Sequence, residues 1–213
     1  MNKLKKGILV LFEGGESCGK STAQESCFNY LSSKYDTVKM REPGTAPVSE
    51  GIRDLLLNHP EMKMSNLTEL FLYEAARTQF VEDLLKPALQ QHKLVLSDRY
   101  YYSTIAYQGF GRGIDLRVID SLNKIATTGI RPDIAFIFDV PYEIAAERMR
   151  NAGKSPDRIE RLGKEFHEKV RQGYLYAANN KEAVKIDGTL SKEAISKQVI
   201  SMIEDYLNPF IIQ

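Results

Sequence analysis

The chain has 213 residues, 43% of them hydrophobic and 27% charged, with a formal net charge of +1. That is enough apolar material for one sizeable core in a single α/β domain. A charge this close to zero excludes a global attraction to nucleic acid or to a membrane surface, so any anion site must be local. Cys18 and Cys27 form neither a disulfide framework nor a metal-type spacing, which points to a reducing, cytoplasmic setting. No stretch reaches the ~18 apolar residues of a membrane span. The apolar run after the first lysines ends at Glu13, too short for a secretory leader.

The first predicted strand, Ile8–Phe12, leads into Gly14-Gly15-Glu16-Ser17-Cys18-Gly19-Lys20-Ser21, a full match to G-x-x-x-x-G-K-[ST]. Thr22 and a helical pattern over Ser21–Lys34 follow. Glycines let the backbone wrap an anion with its N–H groups inward, and the helix adds the positive end of its dipole. Lys20 then reaches the outer phosphates, and the Ser21 hydroxyl faces Mg²⁺. These nine residues, Gly14 to Thr22, are the expected ATP-binding loop. Cys18 is either a small inert filler or, if accessible, a thiol that the helix N-terminus activates.

A second strand (Thr37–Met40) and helical patterns over Val48–Leu57 and Leu67–Gln90 come next. The third strand, Leu94–Ser97, ends in Asp98-Arg99. In a parallel sheet that places both residues beside the phosphate loop, where such sheets bind ligands. Asp98 suits Mg²⁺ held through water, and Arg99 suits a second phosphate group. A helix over Leu116–Thr128, a strand over Ile134–Phe138 and a helix over Tyr142–Asn151 follow. Arg148–Arg161, rich in Arg, Lys, Gly and Pro, reads as an exposed mobile loop. The chain ends with a helix (Arg161–Asn179), a strand (Val184–Ile186) and a helix (Lys192–Tyr206). The alternation predicts a five-stranded parallel sheet with helices on both faces.

A GTPase is disfavoured, because "NKIA" at Asn123–Ala126 and "NKEA" at Asn180–Ala183 both lack the Asp of a guanine-reading N-K-x-D. A donor phosphate loop facing an acceptor-binding arginine is the logic of a nucleoside monophosphate kinase. A P-loop regulatory module that binds ATP, or another deoxynucleotide kinase, remains an alternative.

The sequence resembles the bacterial thymidylate kinase family over nearly its whole length. "FEGGESCGKST", "REPG" at Arg41–Gly44, "DRYYYSTIAYQGFGRGID", "RPDIAFIFDV" and "DRIE" at Asp157–Glu160 carry the resemblance. It implies the nucleoside monophosphate kinase version of the P-loop NTPase fold, transfer of the γ-phosphoryl of ATP to dTMP with Mg²⁺, a homodimer, and a single domain with a mobile lid near residues 148–160. By resemblance, Arg53 and Arg99 hold the dTMP phosphate and Arg77 donates to a thymine carbonyl. Tyr73 stacks on thymine, where the family usually has Phe. Ser103, Thr104 and Gln108 lie near the base, Tyr107 packs on the sugar's 2′ carbon, and Glu16 faces the 3′-hydroxyl. Glu42 lies near the sugar and Mg²⁺, and "DGT" at Asp187–Thr189 passes beside the adenine. Ser17 stands where one branch of the family has an arginine. The resemblance therefore assigns the charge-stabilising role to the lid, with Arg148, Arg150, Lys154 and Arg158 as candidates beside Lys20, Asp98 and Arg99. The histidines, His59, His92 and His167, lie outside every motif and read as surface residues.

Overall fold

The computed structural model describes residues 1–153, 155–179 and 183–212, so Lys154 and most of the "NKEA" stretch lie outside the described residues. The elements run β1 (Ile8–Gly14), α1 (Lys20–Leu31), β2 (Thr37–Arg41), α2 (Pro47–Leu57) and α3 (Asn66–Phe80). A π-helical turn at Val81–Leu85 joins α3 to α4 (Lys86–Gln90), and β3 (Leu94–Asp98) follows. Then come α5 (Tyr101–Thr104) with a π-helical extension at Ile105–Gly111, α6 (Leu116–Ala126), β4 (Ile134–Asp139) and α7 (Tyr142–Asn151). α8 (Lys164–Ala177), β5 (Val184–Asp187) and α9 (Lys192–Leu207) complete the series.

The five strands are all parallel, in the order β2-β3-β1-β4-β5. Every residue of the central strand β1 is buried. Its side chains alternate between two apolar layers, as strand geometry requires. Ile8, Val10 and Phe12 pack with Phe136, Phe138, Leu31 and Ile203 under α1 and α9. Leu9 and Leu11 pack on the other face with Phe80, Val95, Ile137 and Tyr174. Burial on both faces explains why the strands read as continuous apolar runs rather than alternating ones. Register pairs Phe12 with Asp98 and Asp98 with Arg41. The loops that carry chemistry therefore leave the same edge of the sheet.

All five predicted strands and seven predicted helices are present within a few residues of their expected limits. The continuous helix expected over Leu67–Gln90 is one rod with a π-helical turn inside it. The stretch Tyr101–Gly111, not expected to be helical, is a helix, and its second part is π-helical. Its tyrosines, β-branched residues and two glycines are weak helix formers. It forms because α8 packs closely along it, and π-helical turns favour functional sites. A Cβ added at Gly173 would lie 2.6 Å from the Ala106 Cα. Gly173→Ala should therefore force these helices apart, costing about 1–3 kcal/mol of stability in urea denaturation.

Candidate active site

The phosphate loop follows directly from β1. Gly14 (φ 146°) and Gly19 (φ 94°) adopt backbone angles that side chains disfavour, which lets the chain turn tightly into α1. Lys20 is buried, and its Nζ donates to the Gly15 carbonyl at 3.3 Å, across the mouth of the loop. The Cys18 side chain points inward: it is 2% exposed, and burial pushes its thiol up despite the nearby Lys20. Of the two readings of Cys18, burial rules out the accessible, activated thiolate. The inert filler is what the structure contains.

Ser21 donates from Oγ to Asp98 Oδ2 at 2.5 Å. The other carboxylate oxygen of Asp98 is buried without a hydrogen-bond partner among the described residues. An orphaned hard oxygen beside a serine hydroxyl is the donor chemistry that Mg²⁺ takes alongside phosphate oxygens. The residues present fit that ion, with Ser21 and Asp98 as the protein's contribution.

Arg99 organises the other side. Its backbone is left-handed (φ 72°), a strain of about 1–3 kcal/mol for a non-glycine residue. Its Nη2 donates to Glu16 Oε1 at 2.5 Å and to the Tyr107 hydroxyl at 3.3 Å. Its Nη1 donates to the Gly14 carbonyl (3.0 Å), Tyr174 Oη (2.7 Å) and Ser103 Oγ (3.2 Å). Burial opposes the Glu16 charge, but Arg99 and then Lys20 hold its carboxyl at about 2. Tyr107 also donates to Glu16, at 2.7 Å. Ser103, expected near the base, accepts from Arg99 and donates to Glu13 while also lining the pocket.

A pocket of about 200 Å³ joins the phosphate loop to this cluster. Its lining includes Glu16, Lys20, Ser21, Glu42, Arg53, Tyr73, Arg77, Asp98, Arg99, Ser103, Thr104, Tyr107 and Gln108, so every expected acceptor-site residue converges there. Arg77 is 1% exposed and forms the floor. It donates to Glu42 (3.1 Å), Glu74 (2.7 Å), Asn123 (2.8 Å) and the Tyr100 carbonyl (3.3 Å). A guanidinium has five N–H groups, so one has no partner among the described residues. Burial raises the Glu42 carboxyl, and Arg77 offsets that. The Thr104 hydroxyl is buried without a partner among the described residues, an open hydrogen-bonding group on the pocket wall. Gln108 donates to Glu69 at 3.0 Å. Burial raises the Tyr73 hydroxyl, near Glu69.

Arg53 donates to the Pro43 carbonyl at 3.2 Å. Burial, and then the like charges of Arg41 and Arg99, lower its pKa. Three arginines thus crowd one end of the pocket, an arrangement that an anion would relieve. The lid candidates separate. Arg148 donates to the Ser17 carbonyl of the phosphate loop at 3.3 Å, whereas Arg150 is exposed at the end of α7. Arg158 lies on the opposite side: it pairs with buried Glu69 at 2.7 Å and donates to the Leu56 carbonyl at 2.6 Å. Asp157 and Ile159 beside it line the pocket. His167 is half-buried and stacked on Tyr142, not a plain surface residue.

Sequence reasoning missed Glu13, Arg41, Tyr100, Asp157, Ile159 and Tyr174. Arg41, Asp157 and Ile159 stood inside quoted motifs without a role. Glu13 had a signal, an acid ending a fully apolar strand. Tyr174 had none, since an aromatic on an amphipathic helix reads as core.

A family model described as thymidylate kinase matches residues 12–199. The chain belongs to the thymidylate kinase family. It is 43% identical over 202 residues to a thymidylate kinase of Fervidobacterium nodosum, covering 94% of this chain and 100% of that one. It is 42% identical over 205 residues to one of Nostoc punctiforme, covering 94% and 97%. The crystal structure of the thymidylate kinase from Ehrlichia chaffeensis superposes with a TM-score of 0.76 at 32% identity, covering 93% of this chain and 98% of that one. The P-loop kinase fold expected from the sequence is the fold observed.

Removing Arg77 strands Glu42 and Glu74 in the protein interior. Arg77→Met should cost about 3–5 kcal/mol in denaturant unfolding, well beyond a lost ligand contact.

Proposed function

We propose that this chain transfers the γ-phosphoryl group of ATP to dTMP, giving dTDP and ADP. The observation that carries the reading is the single pocket in which the phosphate loop faces Arg53 and Arg99. A binding or regulatory module has no use for a second phosphate site opposite the first.

The acceptor phosphate oxygen is already a nucleophile, so the protein's task is alignment and charge neutralisation. Arg53 and Arg99 hold the acceptor phosphate. Lys20 and the loop N–H groups hold the donor's β- and γ-phosphates. As the acceptor oxygen bonds to the γ-phosphorus, the bond to the β-bridging oxygen breaks and ADP leaves. Mg²⁺ bound beside Ser21 and Asp98 would neutralise charge on the donor's outer phosphates. Tyr73 stacks on thymine, and the fifth N–H of Arg77 and the Thr104 hydroxyl meet its polar edge, with Gln108 beside them. Tyr107 covers the sugar and Glu16 faces its 3′-hydroxyl.

The homodimer uses the neighbouring helices α3 and α6, which expose Leu67 and Phe71 on one and Val118 and Ile125 on the other. Each pair shares one helical face. The two free, buried cysteines suit a cytoplasmic setting. Among the described residues no helix is long and apolar enough to cross a membrane.

A coupled assay across nucleoside monophosphates tests the activity. The order should be dTMP, then dUMP, then UMP far behind. The thymine methyl contributes about 1–3 kcal/mol of discrimination. A ribose 2′-hydroxyl buried against Tyr107 without a partner costs about 1–3 kcal/mol more. Equal use of UMP and dTMP would remove the assignment.

The lid, residues 148–160, divides its work between its arginines. Arg148 at the phosphate loop serves the transferring group, while Arg158 on Glu69 closes the acceptor side. Arg148→Met should lower kcat by about 10²-fold with little change in the KM for dTMP. Arg158→Met should chiefly raise that KM. Steady-state kinetics of the two variants would show the split.

A further inference from the structure

Glu13 is a fully buried carboxyl that the transfer chemistry does not use, and it lies directly beneath Arg99. Three donors converge on it. The Tyr100 N–H reaches Oε1 at 2.6 Å, Ser103 Oγ reaches Oε2 at 2.7 Å, and the Tyr174 hydroxyl reaches Oε2 at 3.2 Å. The same two hydroxyls accept from Arg99 Nη1. The Tyr100 N–H immediately follows the left-handed Arg99, whose own N–H donates to the Phe12 carbonyl at 3.0 Å.

We propose that Glu13 is the positioning residue for the acceptor arginine, acting as an anion that sets the hydrogen-bond direction of Ser103 and Tyr174 and pins the strained Arg99–Tyr100 turn. An ionised carboxylate only accepts. The Ser103 hydrogen then points at Glu13, the Tyr174 hydrogen is shared between Glu13 and Ser103 Oγ 2.8 Å away, and both oxygens keep lone pairs toward Arg99. A neutral carboxyl, or an amide in its place, carries a donor of its own. That donor turns a hydroxyl hydrogen back toward the guanidinium and removes an acceptor from it.

A buried carboxylate with no ion pair of its own is expensive for the fold. The nearest cation, Arg99, gives its shortest bond to Glu16. The groups that face Glu13 are Arg99, Tyr100 and Ser103 from the segment after β3, Tyr174 from α8, and Glu42 from the loop after β2. Burial raises its pKa to about 7, against the help of Arg99, Ser103 and Tyr100, while Glu42 adds to the rise. This carboxyl is raised above its unfolded value, so its charge costs stability at pH above about 7. That cost disappears as pH falls toward the unfolded value.

The inference rests on the reading that Arg99 holds the acceptor phosphate, and the test separates the two. Glu13→Gln, Tyr174→Phe and Arg99→Met are compared with the wild type for dTMP KM, ATP KM and thermal midpoint between pH 8 and pH 6. Glu13→Gln should raise the dTMP KM about tenfold at pH 8 and leave the ATP KM unchanged. Its thermal midpoint at pH 8 should be higher than wild type, the opposite of a merely structural loss. The ratio of the two proteins' kcat/KM for dTMP should shrink toward pH 6, and the substrate's own titration cancels in that ratio. A folded Glu13→Gln protein with a wild-type dTMP KM, or with both KM values raised equally, overturns the proposal. If that variant does not fold, Tyr174→Phe carries the test, and an unchanged dTMP KM overturns it. An unchanged dTMP KM in Arg99→Met removes the underlying reading of Arg99. A raised one beside wild-type behaviour in the other two variants removes only the role of Glu13.

Discussion

The Arg99–Glu16 ion pair is the contact on which the site depends. It joins the loop leaving β1 to the loop leaving β3, two neighbouring parallel strands in register. At 2.5 Å, with Arg99 and Glu16 both partly buried, it is only weakly screened by solvent. The Arg99–Gly14 carbonyl and Ser21–Asp98 bonds join the same two loops beside it. Together they fix two anion-binding elements at one distance inside one pocket. Tyr107 donates to the same Glu16 oxygen and lies against Arg99, so the wall of the pocket is tied to the same pair.

This arrangement concentrates buried charge on one side of the sheet. Arg77 with Glu42 and Glu74, Glu69 with Arg112 and Arg158, and Glu13 under Arg99 are all on that side. The opposite layer, under α1 and α9, consists of ordinary aliphatic and aromatic packing. The division has a physical logic. Buried pairs return little net stability against their desolvation cost, so the apolar layer must carry the fold. The polar layer instead holds guanidinium groups at fixed positions, which is what preorganised electrostatic binding requires. Among the described residues, a buried oxygen of Asp98 and the Thr104 hydroxyl on the pocket lining have no hydrogen-bond partner and stay open to a ligand.

Much of the fold was legible because strands buried on both faces and helices with an apolar stripe leave different periods in the sequence. The phosphate loop, Asp98 and Arg99 were legible because glycine spacing and strand ends have few other uses. The helix over Tyr101–Gly111 was not, since its residues favour a helix only once α8 covers them. Tyr174 was invisible, and Glu13 legible only as an acid ending an apolar strand, for a related reason. Their importance lies in contacts between residues 161 positions apart in the chain, and no local pattern encodes such a contact. Arg158 shows the reverse case. Its place in a basic, glycine-containing loop read as a charge for the transferring phosphoryl group, but the partner that decides its position is Glu69, a buried acid on α3.

That partner choice follows from burial. Glu69 is 2% exposed, and a carboxylate at that depth needs cations around it. Arg112 supplies one and Gln108 a hydrogen bond, yet both come from the segment that follows β3. Arg158 comes from beyond α7, so its pairing carries the loop across the pocket and sets Asp157 and Ile159 in the wall. The loop's own bonds hold that shape: Asp157 accepts from the N–H groups of Ile159 and Glu160 at 2.8 Å each. A charge buried behind the pocket thus also determines where its cover comes to rest. Arg148, paired with no acid among the described residues, lies at the phosphate loop and donates to the carbonyl of Ser17.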